Sequence, residues 1–324
     1  MKLLTLNTHS LEEKDYEKKL KIFTEEILKE KPDVIALQEV NQPLDGEEAD
    51  GEVLKKSGFI PCPSEPPSCA VPVRLGNHGL RAAQLLRRSG FPVFWTWTSA
   101  KVGYGKYDEG MALMSRRPIA EVSQLFLTDG RDYNNWKTRK ALAITLNIGK
   151  GEEPVSFVTA HMGWWKDEEE PFSRQWERLD AFASSLRRRA DVWLMGDFNT
   201  QDSVRGEGYD RITASGWTDA YRAAGKRDGG ITVPGAIDGW REDGEVPGMR
   251  IDYIWYGRKH DSGDRKSRGD VLIEEVRTVF NGSDCPAVSD HFGVLAECRT
   301  PWDESAATEE SELSRKETSQ KFRR

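Results

Sequence analysis

Six short pieces of this chain carry side chains that can do chemistry together: Leu4-Thr-Leu-Asn7, Ala36-Leu-Gln-Glu39, Thr159-Ala-His161, Gly196-Asp-Phe-Asn199, Arg250-Ile-Asp-Tyr253 and Val288-Ser-Asp-His291. Each lies at the polar end of an apolar run. Together they supply the carboxylates Glu39, Asp197, Asp252 and Asp290, the carboxamides Asn7 and Asn199, and the imidazoles His161 and His291. Hydrolysis of a phosphate ester demands this combination: a cation on the phosphoryl oxygens, a base for water, and groups that stabilise charge developing at phosphorus. Any one piece is weak alone. Their ordered recurrence is the signal.

Glu39 ends the run from Asp33 to Gln38, where a carboxylate is out of place among apolar neighbours. Hard oxygen donors of this kind suit Mg2+ or Mn2+. Asn7 closes the first run in the same way, and its carboxamide can bind the water of such a metal, a carboxylate or a phosphate oxygen; a turn-forming Asn at a strand end is its other reading. Asp290 adds a second ligand type beside His291. Asp197 and Asn199 are two apart, so in an extended segment they address one centre; simple turn chemistry is the alternative for this piece. Asp252 can orient the imidazole of His291 and stabilise its protonated form, which makes His291 the expected general base. His161 is then expected to stabilise the pentavalent phosphoryl group or to help the leaving oxygen depart.

Composition narrows the partners. A formal net charge of −7 argues against a long nucleic-acid substrate, because binding by phosphate neutralisation calls for a basic face. The runs Arg187-Arg-Arg189 and Arg116-Arg117 read as solvated helix and turn faces. Met1 leads straight into a strand-like run, and no stretch is long and apolar enough to span a bilayer. Cys62, Cys69, Cys285 and Cys298 lack C-x-x-C spacing. The expectation is a cytoplasmic protein with reduced thiols and no membrane partner.

These side chains must be positioned by a core. Strand-like runs recur at Lys2 to Asn7, Asp33 to Val40, Met111 to Ser115, Ala141 to Ile148, Val155 to His161, Val192 to Gly196, Ile251 to Tyr256, Val271 to Phe280 and Phe292 to Cys298. Helical spacing marks Tyr16, Leu20, Phe23, Ile27 and Leu28, stopped by Pro32, and again Trp176, Leu179, Phe182, Ala183 and Leu186, with Ser173 as expected N-cap. Pro61 to Pro72 reads as a loop, with a helix following around Leu80 to Arg88. Several strands are almost continuously apolar, which predicts two packed sheets with helices outside. No repeat or linker divides the chain. Residues 1–300 read as one catalytic domain, and 301–324, rich in Glu, Ser and Lys, as a disordered charged tail.

The ordered set LTLN, LQE, AH, GDFN, IDYI and SDH resembles the endonuclease/exonuclease/phosphatase superfamily from Lys2 to Cys298. The resemblance implies an α/β fold, a four-layer α/β sandwich of two packed mixed β-sheets flanked by helices, with a divalent cation, usually Mg2+, at one edge. By position it implies Glu39 as principal metal ligand with Asn7 and Asp290 near it. Asp197 and Asn199 match the pair that positions phosphate and water, and Asp252 and His291 the Asp/His pair. His161 matches a histidine of deoxyribonuclease I-like and sphingomyelinase-like members, a position where abasic-site repair nucleases carry another residue.

Substrate choice rests on what surrounds the site. Trp95-Thr-Trp97, Gly103 to Gly110 and His161-Met-Gly-Trp-Trp165 add aromatics at the expected cleft mouth. Trp97, Trp164 and Trp165 flank polar strand ends and are expected to be accessible to a sugar ring, lipid or base. Tyr107 and Glu109 belong to the same segments, with Glu109 placed to orient His161 or Asn7, while Trp193 is expected in the core. LTLNTHS, the W-T-W and GYGKYDEG pair, and HMGWW followed by Phe172-x-x-Gln-Trp176 resemble a narrower bacterial group that includes maltose 6'-phosphate phosphatases. The Pro61 to Pro72 loop departs from that group. The sequence thus predicts a metal-dependent phosphatase of a small sugar phosphate. The alternatives are a phosphodiesterase, nuclease or sphingomyelinase-like, and a silent binding or regulatory module on the same fold.

Overall fold

The structure, a computed structural model, describes residues 1–63, 70–148, 153–235, 248–260 and 270–300. Cys69, part of the Pro61 to Pro72 loop and the tail 301–324 lie outside the described residues.

Strand periodicity decides which layer each side chain joins. In β1 (Lys2–Asn7) Leu4 and Leu6 face a helical layer, whereas Leu3 faces a second sheet. β2 (Val34–Pro43) runs parallel to β1 and alternates likewise, with Ile35 and Leu37 on the first side and Val34 and Ala36 on the second. A parallel pair needs a crossover, and α1 (Tyr16–Glu30) supplies it. Its Leu20, Phe23 and Ile27 form the apolar stripe that covers β1 and β2. Around this pair lie β3 (Phe94–Gly103), β4 (Tyr107–Ser115), β10 (Lys226–Arg227), β12 (Leu272–Val279) and β13 (Gly293–Arg299), in the order β10-β12-β13-β1-β2-β4-β3.

The second sheet repeats the plan. β7 (Glu153–His161) and β8 (Asp191–Asp197) are its parallel pair, joined by α4 (Phe172–Arg187). β5 (Glu121–Phe126), β6 (Lys140–Ile148), β9 (Thr218–Asp219) and β11 (Asp252–Gly257) complete the order β5-β6-β7-β8-β11-β9. Leu3, Val34 and Leu113 meet Leu142, Phe157 and Trp193 between the sheets. Outside the second sheet, Trp176 and Leu179 of α4 pack on Val158 and Leu194. Four further helices, α2 (Gly51–Ser57), α3 (His78–Arg88), α5 (Gly208–Ala214) and α6 (Ala220–Ala223), occur among the described residues. The result is the expected helix, sheet, sheet, helix stack. Each fully buried Phe, Leu or Ile contributes about 1.5–3 kcal/mol to it.

Three details differ from expectation. Pro171, not Ser173, caps α4, and Ser173 lies inside the helix. β5 escapes the apolar pattern because it is an edge strand with no fully buried residue. β3 escapes it because Thr and Ser interleave its tryptophans. Among the described residues, no helix is long and apolar enough to cross a membrane.

Candidate active site

The C-terminal ends of the two parallel pairs meet. Asn7 ends β1 opposite Gln38, and His161 ends β7 opposite Asp197. The antiparallel neighbour β11 begins with Asp252, also opposite Asp197, while β13 begins at Gly293, two residues after His291. Strand register alone therefore gathers residues from both sheets at one edge.

Glu39 is aimed by an irregularity. Leu37 pairs with Ala112 and Val40 with Gly110, so Gln38 and Glu39 stand opposite the single residue Met111. This is a β-bulge, and it places Glu39 at φ 50. Gln38 secures it from behind, donating to Thr5 Oγ1 at 3.1 Å and, across the sheets, to Thr159 Oγ1 at 2.8 Å. Asn7 Nδ2 then donates to Glu39 Oε1 at 2.9 Å and to Asp197 Oδ2 at 3.1 Å. Asn7 thus bridges the two carboxylates, one of the uses expected of it.

Gly196 precedes Asp197 because a Cβ there would lie 2.1 Å from the carbonyl oxygen of Ala160. The backbone N–H of Asn199, at φ 47, donates to Asp197 Oδ1 at 2.9 Å, and Asn199 Nδ2 donates to the Met162 carbonyl at 2.9 Å. Turn chemistry and site chemistry are one feature here, since the turn fixes the carboxylate. Ser289 does similar work for the last piece: its hydroxyl donates to the Asn7 carbonyl at 2.7 Å and accepts from the His291 N–H at 3.2 Å.

Asp252 and His291 form a buried pair, with Nδ1 2.9 Å from Asp252 Oδ2. Thr232 clamps both halves. Its hydroxyl oxygen accepts the backbone N–H groups of Ile251 and Asp252 at 3.1 and 3.3 Å, and its carbonyl accepts that of Phe292 at 2.6 Å. Beneath Asp252, the Arg250 guanidinium bonds Asp202 and Asp219 and lies over the rings of Tyr209, Tyr221 and Tyr253. Neither Thr232 nor Ser289 stands out in the sequence, because a hydroxyl residue beside a strand carries no pattern of its own.

Burial and charge set the protonation states. Ligand atoms of Asp197, Asp252 and His291 lie within 4.8 Å of one another, and so do those of His9, Glu13 and Asp290. Burial, reinforced by Glu109 and Asp290, raises the Glu39 carboxyl above its ordinary range. Burial and the Asp252 charge push Asp197 up to about 7. Burial alone would lower His291, but Asp252, with Asp197 and Asp290 behind it, holds it at about 10. His161 goes the other way, well below its ordinary value, through burial with Arg139 and Lys101 nearby. Carboxyls raised by burial and neighbouring charge, as in Glu39 and Asp197, are what a divalent cation relieves; Glu39 belongs to neither of the two ligand groups and is linked to Asp197 through Asn7.

His291 and Asp197 are thus both shifted upward, the imidazole by its carboxylate neighbours and the carboxyl by burial and the Asp252 charge. The His161 Nε2 lies 3.6 Å from Asp197 Oδ2 and its Nδ1 3.9 Å from Glu39 Oε1. Glu109 is buried and pairs with Lys101 Nζ at 3.0 Å, not with His161 or Asn7. The hydroxyl of Tyr107 donates to the Leu11 carbonyl, so this residue braces the loop after β1.

Trp97 is not accessible. Its alternation in β3 puts it in the helix-side core with Trp95, 3% exposed, and its indole N–H donates to the Val40 carbonyl. Trp193 is buried, as expected. Trp164 and Trp165 are half-buried, the latter against Phe172. One exposed aromatic does reach the site: Tyr104, whose hydroxyl lies 3.4 Å from Glu39 Oε2. His9 was also missed; its Nδ1 lies 2.8 Å from Glu13 and 3.9 Å from Asp290. Its place two residues beyond Asn7 was the only signal.

A sequence profile of the endonuclease/exonuclease/phosphatase family matches residues 4–291. No curated protein matches the chain. Among solved structures, an endonuclease/exonuclease/phosphatase family protein from Leptotrichia buccalis is 26% identical with a TM-score of 0.72, covering 92% of this chain and 99% of the other. A mannosyl-6-phosphatase from Bacteroides thetaiotaomicron has 15% identity and a TM-score of 0.59 over 92% and 99% of the two chains. D. rerio TDP2 complexed with a single-strand DNA product has 13% identity and a TM-score of 0.57 over 93% and 99%. The last two show likeness of fold alone. Members of the matched family are phosphoester hydrolases and generally depend on divalent metals. The profile spans every piece from Asn7 to His291 in order, and the chain belongs to the endonuclease/exonuclease/phosphatase family.

Proposed function

We propose that residues 1–300 form a divalent-metal-dependent phosphomonoesterase that acts in the cytoplasm on a small sugar phosphate, with residues 301–324 a charged tail. The observation that carries the reading is the Asn7 bridge between Glu39 and Asp197 beside the Asp252–His291 pair, which joins a cation site to proton-handling groups. When bound, Mg2+ or Mn2+ neutralises phosphoryl oxygens and stabilises the charge that develops on them. Glu39 and Asp290 are the residues to hold it, with Asn7 fixing Glu39.

The chain's own groups supply the rest. Asp197 takes the proton of the attacking water, and Asn199 holds Asp197 in place. His291, kept protonated by Asp252, and neutral His161 donate to phosphoryl oxygens as the pentavalent arrangement forms. The net charge of −7 supports a small monoester over a polymer. Four cysteines without C-x-x-C spacing support a reducing compartment.

The fold is shared equally with a DNA-bound structure, which keeps a phosphodiesterase as the second reading. A phosphate-release screen with sugar phosphates, nucleotides and plasmid DNA side by side tests the choice. Release from sugar phosphates, lost in Asp197→Ala, is expected; plasmid nicking without any phosphate release would reverse it.

A further inference from the structure

The segment between β5 and β6 is a latched loop. At its base, Leu127 N–H donates to the Arg139 carbonyl and the Arg139 N–H to Thr128 Oγ1. On one side it docks on β3 and β4: the Val102 N–H donates to the Tyr133 carbonyl at 2.7 Å, and the Tyr133 hydroxyl donates to buried Asp108. On the other it docks on the segment after His161. There the Glu170 carboxylate accepts the N–H groups of Asp129 and Gly130, and Lys137 Nζ lies 3.0 Å from Asp167 and 3.1 Å from Glu169.

In this fixed frame the Trp136 indole is 55% exposed, the most exposed large apolar side chain among the described residues. Its backbone carbonyl accepts a hydrogen bond from buried Arg139 at 3.1 Å. Arg139 in turn lines, with Lys101, Glu109 and His161, a cavity of about 10 Å³, the room of one water. The backbone that carries the exposed ring is therefore linked, through Arg139, to the cavity lined by His161. The loop that carries the indole is latched on both flanks, which fixes the backbone position from which the ring projects.

We propose that Trp136, in place of buried Trp97, is the platform for the leaving group, and that it stacks on the apolar face of a sugar ring. This rests on the phosphomonoesterase reading. The surroundings suit a sugar: Asp132 lies in the loop, Asp167 and Glu169 border it, and carboxylates accept hydrogen bonds from sugar hydroxyls. Lys137 Nζ, 5.6 Å from the ring centroid, is held by those same carboxylates and offers a further donor to a hydroxyl.

Steady-state kinetics of wild type, Trp136→Ala and Trp136→Phe test this, with glucose 6-phosphate and maltose 6'-phosphate as ring substrates and glycerol 3-phosphate as an acyclic one. The expected result is a rise in KM of about tenfold for the ring esters in Trp136→Ala, the loss of one stacking contact, with kcat within about twofold. Trp136→Phe restores most of the affinity, and glycerol 3-phosphate kinetics stay unchanged in both variants, which also reports an intact fold. Equal KM changes for ring and acyclic esters, or none for either, overturn the platform while leaving the phosphatase reading standing. A wild type that prefers nucleoside monophosphates, with that preference lost in Trp136→Ala, overturns the sugar assignment. A wild type that releases phosphate from no monoester overturns the parent reading and the platform together.

Discussion

Asp252→Asn removes one charge from the buried pair and leaves its shape intact. In the wild type Asp252 Oδ2 sits 2.9 Å from His291 Nδ1 and helps hold the imidazole at about 10 against the opposing effect of burial. With a neutral amide there, only Asp197 and Asp290 oppose burial, and the pKa falls toward the ordinary 6.5 or below. At pH 7.5 about nine in ten His291 side chains then lack the proton, an approximately tenfold loss of the active form. The charge-assisted hydrogen bond that fixed the ring is worth about 1.5–3 kcal/mol, which is roughly another 10- to 100-fold in rate. The expected fall in kcat is about 10²- to 10³-fold. Phosphate-release kinetics measure it, calorimetry should show Mg2+ affinity unchanged because Glu39 and Asp290 are untouched, and proton NMR of the metal-free variant should follow His291 titrating near or below 6.5. A kcat loss under about fivefold, or a His291 that still titrates near 10, would refute the reasoning.

Three further outcomes follow from other parts of the molecule. Glu39→Gln should raise the Mg2+ concentration for half-maximal rate by at least about tenfold, the effect of losing one charged ligand, and equal metal affinity in calorimetry would sink the ligand assignment. Arg250→Leu leaves Asp202 and Asp219 without their buried partner, so urea unfolding should show a loss of about 3–5 kcal/mol; a loss under about 1 kcal/mol would mean the network is not holding β11. His78 is buried, with its Nδ1 3.0 Å from the Tyr16 hydroxyl, and burial lowers its pKa to about 3. Its stability contribution is intact above 6.5 and is lost as pH falls toward 3, at about 1.4 kcal/mol per pH unit. From pH 7 to pH 5 this removes about 2 kcal/mol, which His78→Gln should abolish; parallel pH profiles of wild type and variant in urea melts would contradict it.

The layers of the fold were legible because alternation and helical spacing report burial directly. Leu3 and Leu4 already point to different layers in the sequence, and Tyr16 to Leu28 already mark the crossover helix. The six chemical pieces were legible for a related reason, since a carboxylate or imidazole at the end of an apolar run must have a task that repays its burial. What was hidden depends on geometry without periodicity. The bulge that aims Glu39 is a register shift between two strands, visible only once β2 and β4 are paired. Trp97 was expected to be accessible because flanking polarity suggests exposure, whereas β3 alternation buries it; Trp136, exposed on the docked loop, was not singled out. The protonation of His291 depends on Asp197, Asp252 and Asp290 converging from separate strand ends, a charge balance that spacing along the chain does not contain.

The central claim is that the edge where both sheets meet hydrolyses a phosphomonoester with the help of a divalent cation. The most direct measurement is the initial rate of phosphate release from a sugar phosphate by purified protein, stripped with a chelator and then titrated with Mg2+, for wild type and Asp197→Asn. Release that vanishes on stripping, returns with Mg2+ in the wild type and stays absent in the variant is the predicted result. Release that is indifferent to the chelator, or equal in the variant, would contradict it.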